Sequence, residues 1–289
     1  MFSINIDNLN IKIPADTIGV DMGQTLSKIA YLNGDTLQLS YYLTQSDLTS
    51  LKIALESNVK QFKKINFTGG KSFNLYQHYS QTVETKLINE FEANVKGIEI
   101  LHLLEKKKEL SPSLIVTIGT GTSMVSKKDS VEHLGGTALG GGFLMGLIKI
   151  LFNLDDFQDA LNLAKKGTRY NVDLKVSDIY APEDDRVDLL FREFTAASLG
   201  KIDLNFNMNN LKKEDCINSI ICMIAENIST MANLMAENYD ISSIIFCGGF
   251  LKENRLAKKI LALICKVNKK KAVFLKNSEY CAAIGALLI

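Results

Sequence analysis

The chain has 289 residues, of which 46% are hydrophobic and 22% charged, with a formal net charge of +1 and three prolines. That balance excludes a disordered chain and gives no electrostatic case for a nucleic-acid or membrane-surface partner. Five cysteines, at 216, 222, 247, 265 and 281, form no Cys-x-x-Cys pair, so they are expected as reduced core thiols.

Residues 1–14 alternate apolar and polar side chains without the basic region and apolar core of a secretory leader, which predicts a cytoplasmic protein. No apolar stretch is expected to cross a membrane, since none approaches about 20 residues. Strand signals at 17–20, 28–32 and 37–42, with Asn33-Gly34-Asp35 as a hairpin turn, predict an opening meander. A helix over 48–62 and a strand from Lys64 to Gly69-Gly70 add a βαβ unit and make the sheet partly parallel. Phe91, Val95, Ile98 and Leu101 mark the buried stripe of a helix over 89–104, with Glu90 at its start. Pro112 is a break. It predicts an N-terminal lobe, 1–111, and a C-terminal lobe, 112–289, whose last helix packs back on the first. In the second lobe a strand at 114–118 opens a second strand–turn–strand unit. Helices are expected over 157–166, 214–238 and 252–265, strands over 242–248 and 272–275, and the lysines at 269–271 in a solvated loop or helix end. Glycine turns follow strands in both halves, as a duplication would leave them.

Two turns carry the chemistry. Asp21-Met22-Gly23-Gln24-Thr25 and Gly119-Thr120-Gly121-Thr122-Ser123 each follow a β-branched run, about a hundred residues apart. Glycine lets backbone N–H groups approach phosphate, and the hydroxyls add donors, so the pair predicts a divided nucleotide site. Neither turn is a Walker loop or a dinucleotide fingerprint. Gly140-Gly141-Gly142 opens an apolar helix and is another place for an anion. His78 and His102 lack metal-ligand spacing.

In order, these turns, Thr68-Gly69-Gly70, the triple glycine and Phe246-Cys247-Gly248-Gly249 resemble the layout of the sugar kinase, Hsp70 and actin superfamily. Within it, five segments narrow the match: Ile88-Asn89-Glu90-Phe91-Glu92-Ala93, Gly135-Gly136-Thr137-Ala138-Leu139-Gly140-Gly141-Gly142, Asp173-Leu174-Lys175-Val176-Ser177-Asp178-Ile179-Tyr180, Phe246-Cys247-Gly248-Gly249-Phe250-Leu251 and Ala282-Ala283-Ile284-Gly285-Ala286-Leu287. They resemble type II pantothenate kinases, from about Ile18 to the last residue. The resemblance implies an α/β, two-lobed actin-like ATPase (ribonuclease H-like) fold with a mixed sheet in each lobe and a cleft between them. It implies ATP-dependent phosphorylation of pantothenate to 4′-phosphopantothenate, the entry to coenzyme A synthesis.

Residue by residue, the resemblance makes Glu90 the general base and Asp21 the holder of Mg²⁺ through water. Gly23, Gln24, Thr25, Lys28, Gly119, Thr120, Gly121, Gly140, Gly141, Gly142, Gly248 and Gly249 would surround ATP. Thr120, Ser123 and His133 would join Glu90 beside pantothenate. A homodimer through the second lobe is implied as well, with 194–200 near the partner's substrate site. Two positions depart from the pattern. Gln24 stands where the family has a second glycine, and His133 where it has an arginine. Histidine replaces a permanent forked donor by at most two donors and a pH-dependent charge. A catalytically impaired regulator that binds nucleotide or acyl-CoA, or a kinase of another small alcohol or sugar, would share the fold.

Overall fold

Alternation builds the first sheet: Ile18, Val20 and Met22 point to one face of a strand, Gly19 and Asp21 to the other. The computed structural model describes residues 2–6, 12–44, 48–59, 61–189 and 191–289. Met1 and 7–11 of the alternating N-terminal stretch, and residue 60 of the predicted 48–62 helix, lie outside the described residues. Strands β1 (Phe2–Asn5), β2 (Thr17–Met22), β3 (Leu26–Asn33) and β4 (Thr36–Leu43) are followed by α1 (Thr49–Val59), β5 (Lys64–Thr68), α2 (Phe73–Tyr79), β6 (Glu84–Leu87) and α3 (Glu90–Lys106). The second set runs β7 (Ser113–Ile118), β8 (Thr122–Lys127), β9 (Val131–Thr137), α4 (Gly141–Phe152), α5 (Phe157–Ala164), β10 (Leu174–Lys175), β11 (Thr195–Ala197), α6 (Lys213–Asn238), β12 (Ser243–Cys247), α7 (Arg255–Val267), β13 (Lys271–Phe274) and α8 (Cys281–Leu288).

The first sheet has the order β1-β4-β3-β2-β5-β6 and the second β13-β12-β7-β8-β9. In each, an antiparallel three-strand meander (β2 to β4, β7 to β9) is extended by two parallel strands beside its first member (β5 and β6, β12 and β13). This repeated mixed order is the two-lobed actin-like ATPase fold. The outer face of the first sheet packs Ile18, Val20, Met22 and Phe67 against Leu51 and Leu55 of α1 and Leu75 of α2. The outer face of the second packs Leu114, Val116, Ile118 and Phe246 against α4 to α7. Between the sheets, Leu37, Leu39, Ile115, Val125 and Ile245 close on α3 and α8, so the two inner faces share one core.

Glycine sets the approach of that middle pair. A Cβ on Gly97 of α3 would stand 1.8 Å from the Cys281 carbonyl oxygen, and one on Gly285 of α8 would stand 1.8 Å from that of Ala93. Gly19 of β2 meets α8 the same way, its Cβ position 2.1 Å from the Ala283 carbonyl oxygen. The buried Asn66 Nδ2 donates to the Ala286 carbonyl at 2.8 Å, fixing α8 on β5.

Several expectations shift in detail. The 48–62 helix is shorter: Phe62 is buried from the connection after α1, edge-on to Tyr31, rather than from another helical turn. The 252–265 helix begins later, because Gly249–Leu251 forms a 3₁₀ turn and Asn254 Oδ1 caps α7 by accepting from Ala257 N at 3.1 Å. The expectation of no long apolar stretch is corrected. By length and composition α6 is long and apolar enough to cross a membrane, yet its apolar face forms the second lobe's core. Of the lysine run, Lys269 and Lys270 lie in the connection after α7, where Lys270 pairs with Glu237 at 2.5 Å, and Lys271 opens β13 rather than a loop. All five cysteines are unpaired and buried.

Candidate active site

Register places the first charges. Asp21 of β2 lies opposite Lys28 of β3, and Lys28 Nζ meets Asp21 Oδ2 at 2.8 Å with little of either side chain exposed. Burial works to lower the Lys28 pKa, but the Asp21 charge and hydrogen bond outweigh it, with help from Glu90, and the lysine stays protonated. Gly69, at φ +89°, sits against this aspartate: its Cβ position is 2.7 Å from Asp21 Oδ1 and 2.6 Å from the Met22 carbonyl oxygen. Only glycine suits both the conformation and the space.

The third charge comes from α3. Asn89 Oδ1 accepts from Phe91 N at 2.8 Å, so the helix starts at Glu90, and acids in this first turn suit the helix dipole. Glu90 is exposed at the surface of the cleft, yet the walls beside its carboxyl strip part of its solvent. That loss raises its pKa, the Asp21 charge raises it further, and Lys28 opposes both. Glu92 is exposed. One turn into α3, Asn94 Oδ1 accepts the Cys281 thiol at 3.0 Å, and Cys247 Sγ lies 3.3 Å from Thr117 Oγ1.

The two glycine turns converge: Thr25 Oγ1 and Thr120 Oγ1 are 3.2 Å apart. Gly23 N donates to the Leu26 carbonyl at 3.1 Å, and Gly119 N to that of Gly121 at 2.8 Å, which tightens each turn; Gln24 is exposed. The triple glycine has a different task from the open anion site expected of it. Gly141 N donates to the Gly119 carbonyl at 2.8 Å and Gly142 N to that of Thr120 at 2.9 Å. Those donors brace the second turn, and the Gly140 Cβ position, 2.6 Å from the Thr120 carbonyl oxygen, leaves no room for a side chain. Gly248, at φ +100°, lies against β7, its Cβ position 2.4 Å from the Ile118 carbonyl oxygen, whereas a Cβ on Gly249 meets nothing within 4 Å.

Ser123 and Val125 share a face of β8 by strand alternation, and Val125 pairs with His133 of β9. The imidazole of His133 stacks on Phe91, with ring centroids 4.0 Å apart and planes 8° from parallel, directly beside Glu90 in the chain. Sequence reasoning missed Phe91, Gly69 and Asn94 as site residues. Asn94 had a signal in its four-residue spacing from Glu90, which puts both on one helical face. Among the described residues no group of three or more His, Cys, Asp or Glu is placed to hold a metal ion.

A cleft roofed by a glycine turn from each of two like-ordered sheets, with a carboxylate facing a buried Asp–Lys pair, defines a kinase of the actin-like ATPase class. Solved structures share this fold: the ROK hexokinase of Thermus thermophilus (TM-score 0.56, 14% identity, 94% of this chain and 97% of that one) and a ROK family glucokinase of Streptomyces griseus in complex with glucose and AMPPNP (TM-score 0.56, 11% identity, the same coverage). The family model described as Fumble matches residues 44–289. The type II pantothenate kinase of Bacillus anthracis is 34% identical over 273 residues, covering 94% of this chain and 96% of its own. The chain belongs to this family, the type II pantothenate kinases.

Proposed function

We propose that this protein is an ATP-dependent pantothenate kinase that forms 4′-phosphopantothenate, with Glu90 as general base. The observation that supports the mechanism is the buried Asp21–Lys28 ion pair, 2.8 Å apart and within electrostatic reach of Glu90, in a molecule whose two glycine turns meet at Thr25 and Thr120. Glu90 accepts the proton of the substrate hydroxyl while that oxygen bonds the γ-phosphorus. The bond from the γ-phosphorus to the bridging oxygen breaks, and ADP leaves with the electron pair. Lys28 holds Asp21 in place as its counter-ion. Thr25 and Thr120 face the phosphates, on turns that Gly23, Gly119 and Gly121 shape. Gly140, Gly141 and Gly142 support the second turn, while Ser123 and His133 line the acceptor side.

Asp21 suits Mg²⁺: with no cage of protein ligands among the described residues, it would hold the ion together with water and the nucleotide's own phosphates. Bound there, Mg²⁺ supplies charge neutralisation at the β- and γ-phosphates. Five unpaired thiols suit a reducing, cytoplasmic setting.

The adenosine turn has its own test. Gly249 has open space at its Cβ, so the fold accepts Gly249→Leu, but the new side chain fills the volume where adenosine would lie. ATP affinity measured by calorimetry is expected to fall about 10-fold or more, roughly 1.4 kcal/mol of binding free energy. Unchanged affinity removes Gly248 and Gly249 from the nucleotide site.

A homodimer is the assembly we favour. Helix α4 buries Leu144 and Ile148 but leaves Phe143, Ile150 and Leu151 exposed, Ile150 to 82%, as a second apolar stripe at i, i+7 and i+8. In the same lobe, the 194–200 segment is tied down by Asp173 Oδ1, which accepts from Leu199 N at 2.8 Å, while Asp173 Oδ2 takes Arg169 Nε at 2.5 Å. Ile150→Glu is expected to convert the dimer to monomer in sedimentation equilibrium. A wild-type monomer at micromolar concentration would refute the assembly.

A further inference from the structure

The nucleotide end of the cleft carries a contact between the lobes that the chemistry above does not use. Lys252 directly follows the Gly249–Leu251 turn of the second lobe, and its Nζ stands 4.6 Å from the ring centroid of Tyr41 and 5.5 Å from that of Phe2. Both rings belong to the first sheet. Tyr41 pairs with Lys28, which pairs with Asp21, so the three side chains share the inner face that looks into the cleft. Phe2 pairs with Leu39, two residues along β4 on that same face, and its ring leans on Tyr280 at 6.2 Å. The base of the lysine is fixed, because Gly248 is lodged against the end of β7. Lys252 also lines a cavity of about 280 Å³ together with Gly248, Glu253, Lys258, Lys276 and Glu279 among others, so its walls carry both signs of charge.

We propose that Lys252, held between Phe2 and Tyr41, is a latch across the nucleotide end of the cleft: a positioning residue that keeps the lobes closed on bound ATP and sets how fast nucleotide leaves. The proposal rests on the reading of Gly248-Gly249 as the adenosine turn. A cation over two rings that remain about half exposed (48% for Tyr41, 44% for Phe2) is attractive but not desolvated, which suits a contact made and broken in each turnover. The α3–α8 crossing, by contrast, is buried and permanent.

The test is nucleotide dissociation from the full-length protein, followed by stopped flow with a fluorescent ATP analogue, alongside thermal melting. Lys252→Met and Tyr41→Leu are each expected to speed dissociation about 3- to 10-fold, with the melting temperature unchanged. The double variant is expected to match Lys252→Met, because without the ammonium neither ring has its partner. Lys252→Arg, which keeps a cation over the rings, is expected within about 2-fold of wild type. Unchanged dissociation in both single variants, multiplying effects in the double variant, or an arginine variant as fast as the methionine one would overturn the latch. Gly249→Leu separates the two levels. If it blocks ATP binding while Lys252→Met has no effect, only the latch fails; if it leaves ATP bound normally, the adenosine-turn reading fails and takes the latch with it.

Discussion

Glu90→Gln is expected to lower kcat for pantothenate phosphorylation by about 10²- to 10⁴-fold, the range for removal of a general base, while ATP binding is retained. The pH dependence follows from the same group. As the proposed base Glu90 would work ionised, and loss of solvent, together with the Asp21 charge, raises its pKa above the ordinary glutamate value. The acidic limb of kcat/KM therefore lies above the usual carboxylate range, and activity falls as pH drops through that raised value. Asp21→Asn removes one cause of the rise, so whatever activity it retains should show a limb moved to lower pH. Stability has the opposite sign. A carboxyl that is harder to ionise in the folded state destabilises that state as pH rises from the unfolded pKa through the folded one. At neutral pH Glu90→Gln relieves this, so its melting temperature should equal or exceed that of wild type. Equal nonzero rates for wild type and variant would reject Glu90 as the base, and a lowered melting temperature would assign the fall in activity to damaged folding.

The largest effect on folding is expected at the α3–α8 crossing. Gly97→Ala and Gly285→Ala each place a methyl carbon 1.8 Å from a backbone carbonyl oxygen, a partner that cannot rotate away. Overpacking usually costs about 1–3 kcal/mol and sometimes more, and with backbone on both sides we expect about 3 kcal/mol or more from each, read as a shift in urea midpoint. Gly146→Ala in α4 is the control. Nothing lies within 4 Å of its Cβ position, so the better helix former should stabilise by about 0.5–1 kcal/mol. A Gly97→Ala variant destabilised by less than about 1 kcal/mol would contradict the close helix packing.

Much of this architecture is legible in the chain because its signals are local. β-Branched runs end at turns, Asn89 precedes an acidic first turn, and an apolar stripe marks α3. The unpredicted elements are those whose burial is slight: β1 and β6 are edge strands that bury no residue fully, and α2 buries only Leu75 and Tyr79. α6 escaped notice as one long apolar face because buried polar residues interrupt it. Asn233 Nδ2, for example, donates to the Ser229 carbonyl at 2.7 Å. In the site, Asp21, Lys28 and Glu90 could be named from the chain, but the stack of His133 on Phe91 joins two lobes and has no local signature. The bracing by Gly141 and Gly142 likewise exists only once α4 folds onto the second turn. A glycine string reads the same whether its N–H groups are free or spent.

The crossing of α3 and α8 also fixes the leverage of the enzyme. Glu90 lies seven residues before Gly97, which at helical rise puts it about 10 Å from the fulcrum. A swing of about ten degrees about that point would carry the carboxylate by about 2 Å, the difference between touching an acceptor hydroxyl and losing it. If Glu90 is the base, as proposed, close packing of these two helices is therefore also what holds its carboxylate at working distance.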